Sequence, residues 1–398
     1  MRLVLVSDTF PPFRTSGALQ LWDLSHEFVR QGHSICVLLP TSDQSASWRL
    51  ESRDGIQVMY LRAFRTKDIG YVWRTLAELL MPFAMLRNFR KSPLALERWD
   101  GVVWYSPSIF HGPLVSALKK SSVCKSYLII RDIFPEWAVD MGLMRRNGLV
   151  WRFFDTVARY QYSVADVIGV QTPGNGRYFA RWLEEKPSRQ LEVLQNWLNK
   201  PPHVRCSIRV NETLLAGRRV LVYAGNMGIA QGLDILLELA ERLQRRTDIG
   251  FLFVGRGRDT ARLKVAVQFR QLDNVMFFDE IEPEEIPNLY AQCSAGIVAL
   301  DPRHKTHNIP GKFLTYMQCG LPVLANINAG NDLAQMIRKE QVGQVCETNQ
   351  VDELLQLTEK LLEQIEMDTG LSDRCYRLFE REFSVKNTVK QIAAVFSS

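Results

Sequence analysis

MRLVLVSDTFPPFRTSGALQLWDLSHEFVRQGHSICVLL, residues 1–39, sets the fold class. Arg2–Ser7 is a short apolar run closed by Asp8, and a polar, proline-bearing turn, Thr9–Gly17, follows it. Leu21, Leu24, Phe28 and Val29 then recur at three- and four-residue spacing, the period of a helix with one buried face. Gly32-His33 ends that pattern, and Ile35–Leu39 is the next apolar strand. Strand, loop, helix, strand is a βαβ unit, and its crossover makes the two strands parallel.

Working outward, the pattern returns at Gly101–Tyr105, Ser126–Ile130 and Val167–Val170. Asn196-Trp-Leu-Asn-Lys-Pro-Pro202 interrupts it, because paired prolines stop regular structure. A second alternation begins at Arg219. Its expected strands are Val220–Ala224, Phe251–Val254, Val275–Phe278, Gly296–Leu300 and Pro322–Ala325. Its expected helices are Leu233–Leu243, Pro283–Gln292, Lys312–Cys319 and Asp332–Arg338. The expectation is an α/β protein of two doubly wound, Rossmann-like domains facing across a cleft, residues 1–198 and 199–384. After helices at Val351–Ile365 and Leu371–Phe383, the segment 385–398 is a candidate to pack back on the first domain.

Composition narrows the class. With 46% hydrophobic residues over 398 positions there is enough apolar material for two cores, which excludes a disordered chain. The seven cysteines are scattered and form no C-x-x-C pair, so neither a zinc site nor a disulfide framework is indicated. No signal-peptide pattern and no run of about 18 apolar residues is present, and the expected location is cytoplasmic. Residues 1–200 hold 26 Lys+Arg against 18 Asp+Glu, while the remainder is net −2. A basic first half suits an anionic partner (phospholipid, a diphosphate-linked substrate or nucleic acid) or is an ordinary solvated surface. Tyr71–Leu96 is amphipathic. Leu76, Leu79, Leu80, Phe83, Leu86 and Phe89 lie on one side, with Arg74, Arg87, Arg90 and Lys91 nearby. It suits either the core or the surface of a membrane.

In an open parallel sheet, ligands bind beyond the carboxyl ends of the strands, and the loops there have the right composition. Ser16-Gly17 opens a helix whose free N–H groups favour an anion, or it is a plain tight turn. Gly225-Asn226-Met-Gly228 and Gly255-Arg256-Gly257 each follow a strand, and together they suggest a diphosphate cradle. Pro310-Gly311-Lys312 starts a further helix. A lysine in a first turn opposes the helix dipole unless an anion neutralises it. In the first domain His111 sits beside Gly-Pro. Asp132, next to Arg131 after a strand, is a site residue or a helix N-cap.

These segments carry a resemblance. Pro11-Pro12 with Ser16-Gly17 and Gly32-His33, Tyr223–Gly228 with Gln231-Gly232, Val254–Gly257, and Pro310–Ala325 resemble, in order and spacing, glycosyltransferase family 4. These are retaining enzymes of the GT-B fold. The resemblance implies that the second domain binds the nucleotide of a donor sugar and that Gly17 approaches its diphosphate. Gly225 and Gly228 then line the phosphates, Pro310-Gly311-Lys312 hold phosphate or sugar, and Phe278–Ile281 cradle the base. His111 falls near a sugar-facing histidine, and no metal or other cofactor is implied. Where many members carry Arg and Lys in the first glycine loop, this chain has Asn226 and Gln231. Charge on the leaving group then falls to Arg256, Lys305, Lys312 or Arg131. Where many carry two glutamates, it has His307 and Thr315.

Within the family, Lys305–Gln318 with Ala325–Asp332 resembles the L-fucosamine transferases of O-antigen and capsule assembly. That implies UDP-N-acetyl-L-fucosamine as donor and an undecaprenyl-diphosphate-linked saccharide as acceptor. The basic first half and the amphipathic Tyr71–Leu96 stretch suggest peripheral contact with the anionic inner membrane, where such an acceptor would sit, and no nucleic-acid partner is expected. The expected catalytic residues are Lys312, Asp132 and His111. Gly17, Gly225, Asn226, Gly228, Arg256, Phe278, Ile281, Pro310, Gly311 and Thr315 are expected at the donor. A GT-B epimerase and a non-catalytic nucleotide-sugar binder remain alternatives. A nicotinamide oxidoreductase is disfavoured because Ser7–Gly17 lacks G-x-G-x-x-G.

Overall fold

The computed structural model describes residues 1–13, 15–66, 69–200, 204–228, 231–301 and 309–397. It divides into two compact units, Met1–Trp197 with Val385–Ser398, and Leu198–Ser384. Each is built on its own sheet.

The first sheet has eight strands: β1 (Arg2–Val6), β2 (Ser34–Thr41), β3 (Trp48–Arg53), β4 (Ile56–Arg62), β5 (Gly101–Tyr105), β6 (Lys125–Ile129), β7 (Val167–Val170) and β8 (Gln190–Val193), in the order β3-β4-β2-β1-β5-β6-β7-β8. All pairings are parallel except the β3–β4 hairpin. That hairpin turns at Asp54-Gly55, both at positive φ (50° and 79°), the conformation of a tight two-residue loop. The central strands are buried on both faces. Val4, Val102, Leu128 and Ile168 face one core, and Leu3, Val103, Tyr127 and Val167 face the other. The helix Ser16–Arg30 covers the second core together with the C-terminal helix Val385–Ser397, which buries Val385, Val389, Ile392 and Val395 there. The fit is tight, since a Cβ on Gly101 would come 2.5 Å from the ring of Phe396.

The amphipathic stretch becomes the helix Tyr71–Phe89 and a short 3₁₀ turn, Pro93–Leu96. It is apolar on two sides. Ala77, Met81, Met85 and Phe89 are buried, whereas Leu76, Leu80 and Phe83 of the expected stripe face outward and are exposed. Tyr71 and Trp73 are 88% and 71% exposed. No helix among the described residues is long and apolar enough to cross a membrane.

The second sheet is wholly parallel: β9 (Arg219–Ala224), β10 (Ile249–Val254), β11 (Val275–Phe278), β12 (Ala295–Ala299), β13 (Val323–Asn326) and β14 (Gly343–Cys346), in the order β11-β10-β9-β12-β13-β14. The order reverses direction between β9 and β12, so the loop after β9 lies at the switch point, where ligands of such sheets sit. The helix Gly311–Gln318 packs here through Phe313, Leu314, Tyr316 and Met317. The hydroxyl of Tyr316 donates to the carbonyls of Val222 and Ile297 (3.0 and 3.1 Å) and ties that helix to β9 and β12.

Candidate active site

The two glycine loops of the second unit are packed on each other. Gly225 and Gly255 hold φ values of 136° and 139°, open to glycine alone, and a Cβ on Gly255 would overlap the carbonyl of Gly225. A Cβ on Gly257 would overlap the backbone of Met227. Gly225 N–H donates to Val254 (2.9 Å), Met227 N–H to Arg256 (2.8 Å) and Gly255 N–H to Phe278 (3.1 Å). Gly228 N–H donates to the side-chain oxygen of Gln231 (3.0 Å), which also takes a bond from Asn226 Nδ2 (3.3 Å). The amides expected to cradle a diphosphate at Gly225 and Gly228 therefore already have acceptors. Loop-on-loop packing is itself a sufficient reason for the glycines.

A positive charge stands beside these loops at Lys312. Its Nζ lies 3.5 Å from the centroid of the Tyr223 ring, and Gly225 would carry a Cβ 3.7 Å from the same nitrogen. Tyr223 is buried at the end of β9, and its hydroxyl donates to the carbonyl of Asn226 (2.6 Å), so one ring anchors the loop and floors the ammonium. Among the described residues no carboxylate lies within 4 Å of Lys312. Burial lowers its pKa from 10.5 to about 7. A cation on an aromatic ring gains about 2 kcal/mol when desolvated, less than the several kcal/mol that stripping water from an ion costs. The site is short of a negative charge. The helix start adds to the deficit. Pro310 is the N-cap without a side-chain cap bond, the first turn holds no acid, and the N–H groups of Gly311 and Lys312 have no acceptor among the described residues.

The other expected donor residues of the second unit have partners of their own. Thr315 turns its hydroxyl back to the carbonyl of Gly311 (3.3 Å). Phe278 and Ile281 are partly buried against the core beyond β11. Arg256 is exposed and paired with Glu280 (2.9 Å), so its charge is already met. Lys305 and His307 lie outside the described residues. Tyr223, the platform of the site, was not singled out in the sequence. Its signal is an aromatic residue two positions before a strand-ending glycine.

In the first unit, Gly17 lies in the first turn of Ser16–Arg30, whose N-cap Thr15 accepts from Ala18 N–H (3.2 Å). A Cβ there would stand 3.1 Å from the Tyr105 hydroxyl, so packing alone favours glycine. Asp132 is exposed and caps no helix, because the next one, Glu136–Asp140, has Pro135 as N-cap. Burial of its carboxylate raises the Asp132 pKa, and Arg131 partly opposes that rise. His111 is fully enclosed before the helix Gly112–Ser122. Neither ring nitrogen has a partner, and burial lowers its pKa to about 4, which keeps the imidazole neutral at pH 7. Arg131 is also buried, 6% exposed, at the carboxyl end of β6.

Residues 218–364 match the family Glycosyl transferases group 1. The matched segment contains the Lys312 site. The chain is 25% identical to a probable glycosyltransferase, WbjE of Pseudomonas aeruginosa, over 245 residues, 60% of either protein. It is 23% identical to a putative colanic acid biosynthesis glycosyl transferase, WcaI of Escherichia coli K12, over 381 residues, 87% of this chain and 86% of that one. Among solved structures, HepE of Anabaena in complex with UDP aligns over all of both chains at 14% identity and TM-score 0.68. WaaG, a glycosyltransferase involved in lipopolysaccharide biosynthesis, does so at 14% and 0.63. The fold is that of the GT-B glycosyltransferases.

The Lys312 geometry gives the domain a pH signature. The ammonium loses its proton as pH rises through about 7, so an anion that needs the cation binds best below that value. Pyrophosphate affinity, measured by calorimetry from pH 6 to 8.5, is expected to fall by up to about tenfold per unit above pH 7, with proton uptake on binding. A flat profile, or proton release, contradicts this assignment.

Proposed function

We propose that this chain is a retaining, metal-independent glycosyltransferase. It moves a sugar from a nucleoside-diphosphate donor to a lipid-linked saccharide during surface-polysaccharide assembly. The observation that carries the reading is Lys312, a cation without a counter-ion set beside Gly225 at a helix start, where it suits a leaving diphosphate. UDP is the nucleotide in the HepE complexes, and the resemblance to L-fucosamine transferases makes UDP-N-acetyl-L-fucosamine the favoured donor. The bond from the sugar's anomeric carbon to the diphosphate breaks, and its electron pair stays on the phosphate oxygen. Lys312 and the free amides of Gly311 and Lys312 stabilise that charge. The acceptor hydroxyl bonds to the anomeric carbon from the same face, and its proton passes to the departing phosphate oxygen. Asp132 is the candidate for holding the acceptor. The enclosed, neutral His111 suits a contact with a sugar hydroxyl.

The lipid-linked acceptor places the chain on an anionic membrane surface. The outward stripe of Tyr71–Phe89 supports this: Val72, Leu76, Leu80 and Phe83 form one exposed apolar line that ends in Arg87 and Arg90.

Two experiments test the reading. Nucleoside diphosphate should be released from a UDP-sugar only when a saccharide acceptor is present, and Lys312→Ala should lower turnover by about 10²–10³-fold. Unchanged turnover in that variant removes Lys312 from the mechanism, and acceptor-independent conversion of the donor favours an epimerase. In the second, the protein should float with vesicles containing anionic lipid at low salt and lose most of that association when Leu76 and Leu80 are both replaced by Glu. No flotation at low salt contradicts the membrane contact.

A further inference from the structure

Arg131 is a buried cation, and it belongs to the first unit. It follows β6, and its guanidinium carbon lies 4.4 Å from the centroid of the Trp197 ring and 5.9 Å from that of Tyr105. Nη1 donates to the carbonyl of Leu194 at 3.3 Å, a long bond, the Tyr105 hydroxyl is an electrostatic neighbour, and Nε and Nη2 are buried with no acceptor among the described residues. No carboxylate lies within 4 Å of it among the described residues. Asp132, next in sequence, feels the charge of Arg131 without pairing to it, and Glu192 takes the hydroxyl of Tyr127. Folded proteins leave few buried polar groups unsatisfied, and a buried guanidinium least of all.

Its neighbour across the sheet has the complementary defect. β6 and β7 are paired as far as Ile129↔Gly169, and Arg131 and Gln171 each stand two residues past that pair, beyond the carboxyl ends of neighbouring strands. The Gln171 side-chain oxygen is buried and receives no donor. Two guanidinium N–H groups call for anionic oxygens, and an amide oxygen calls for a hydroxyl. A sugar phosphate supplies both. A bare anion leaves Gln171 unmet, and a neutral sugar leaves the charge of Arg131 unmet.

We propose that Arg131 and Gln171 form a sugar-phosphate site in the first unit, which takes the phosphorylated end of the acceptor saccharide. The assignment rests on the transferase reading for the word acceptor, but the site stands on geometry internal to the first unit. It also separates two cations that the sequence grouped together, giving Lys312 to the donor diphosphate and Arg131 to the acceptor.

The probe is N-acetylglucosamine 1-phosphate, titrated calorimetrically into the full chain with UDP saturating the donor site. Inorganic phosphate and N-acetylglucosamine serve as comparison ligands. Saturable binding of the sugar phosphate, stronger than that of either fragment, is expected. Arg131→Gln should weaken it about tenfold or more while leaving UDP affinity within about twofold. Arg131→Lys keeps a charge beside Trp197 and is read in its place should the glutamine variant not fold. It should bind the sugar phosphate more weakly than wild type because its single ammonium cannot form the two-pronged contact. Three results overturn the site: no saturable binding by the wild type, unchanged affinity in the folded Arg131 variants, or a parallel loss of UDP affinity, which would assign Arg131 to the donor. Lys312→Ala provides the separation from the transferase reading, since it should lose UDP affinity and keep the sugar phosphate when UDP is omitted.

Discussion

The ammonium of Lys312 lies on the ring of Tyr223 with no carboxylate beside it, and the architecture of the second unit converges on keeping it there. β9 ends in Tyr223-Ala224-Gly225, which places the ring and the open glycine side by side. The Tyr223 hydroxyl fixes the loop at Asn226. Tyr316, bonded to the carbonyls of β9 and β12, holds the helix that carries Lys312 at that height. The cation–ring contact returns about 2 kcal/mol, short of the several kcal/mol that desolvating the charge costs. An anionic group beside Lys312 would offset that cost, which is why the proposed function assigns it the leaving diphosphate.

The glycine loops have a different part from the one their composition suggests. They form a rigid wall in which Gly255 and Gly257 admit the backbone of Gly225 and Met227, and their amides are spent on that wall. Gln231 closes the turn at Gly228, so that turn carries no cation. Lys312, with the amides of Gly311 and Lys312 that have no acceptor among the described residues, stands at the start of the helix Gly311–Gln318.

Much of this was legible in the sequence. The βαβ pattern of residues 1–39, the apolar strands of the second half and the helix start at Pro310-Gly311-Lys312 depend on local periodicity and on dipole chemistry, which a single segment displays. The strands β3, β4, β8 and β14 were not read. β3, β8 and β14 lie at sheet edges, where a strand paired on one side needs little apolar material: Gln190–Val193 is QLEV and Gly343–Cys346 is GQVC, whereas the apolar alternation of β4, Ile56–Arg62, was there to be read. The turn at Asp54-Gly55 was a readable sign of the β3–β4 hairpin. The reasons for Gly17 and Gly255 were not readable, since they lie in Tyr105 and Gly225, residues distant in sequence that only the fold brings into contact. The same holds for the isolation of Arg131, which is a property of what surrounds it and leaves no trace in its own neighbourhood of sequence.

The most direct measurement is a crystal structure of this chain with UDP bound. The account predicts a phosphate oxygen about 2.7–2.9 Å from Lys312 Nζ, with the amides of Gly311 and Lys312 turned toward the same diphosphate. A diphosphate held by other residues, with Lys312 still seated on Tyr223 and touching no anion, would contradict it.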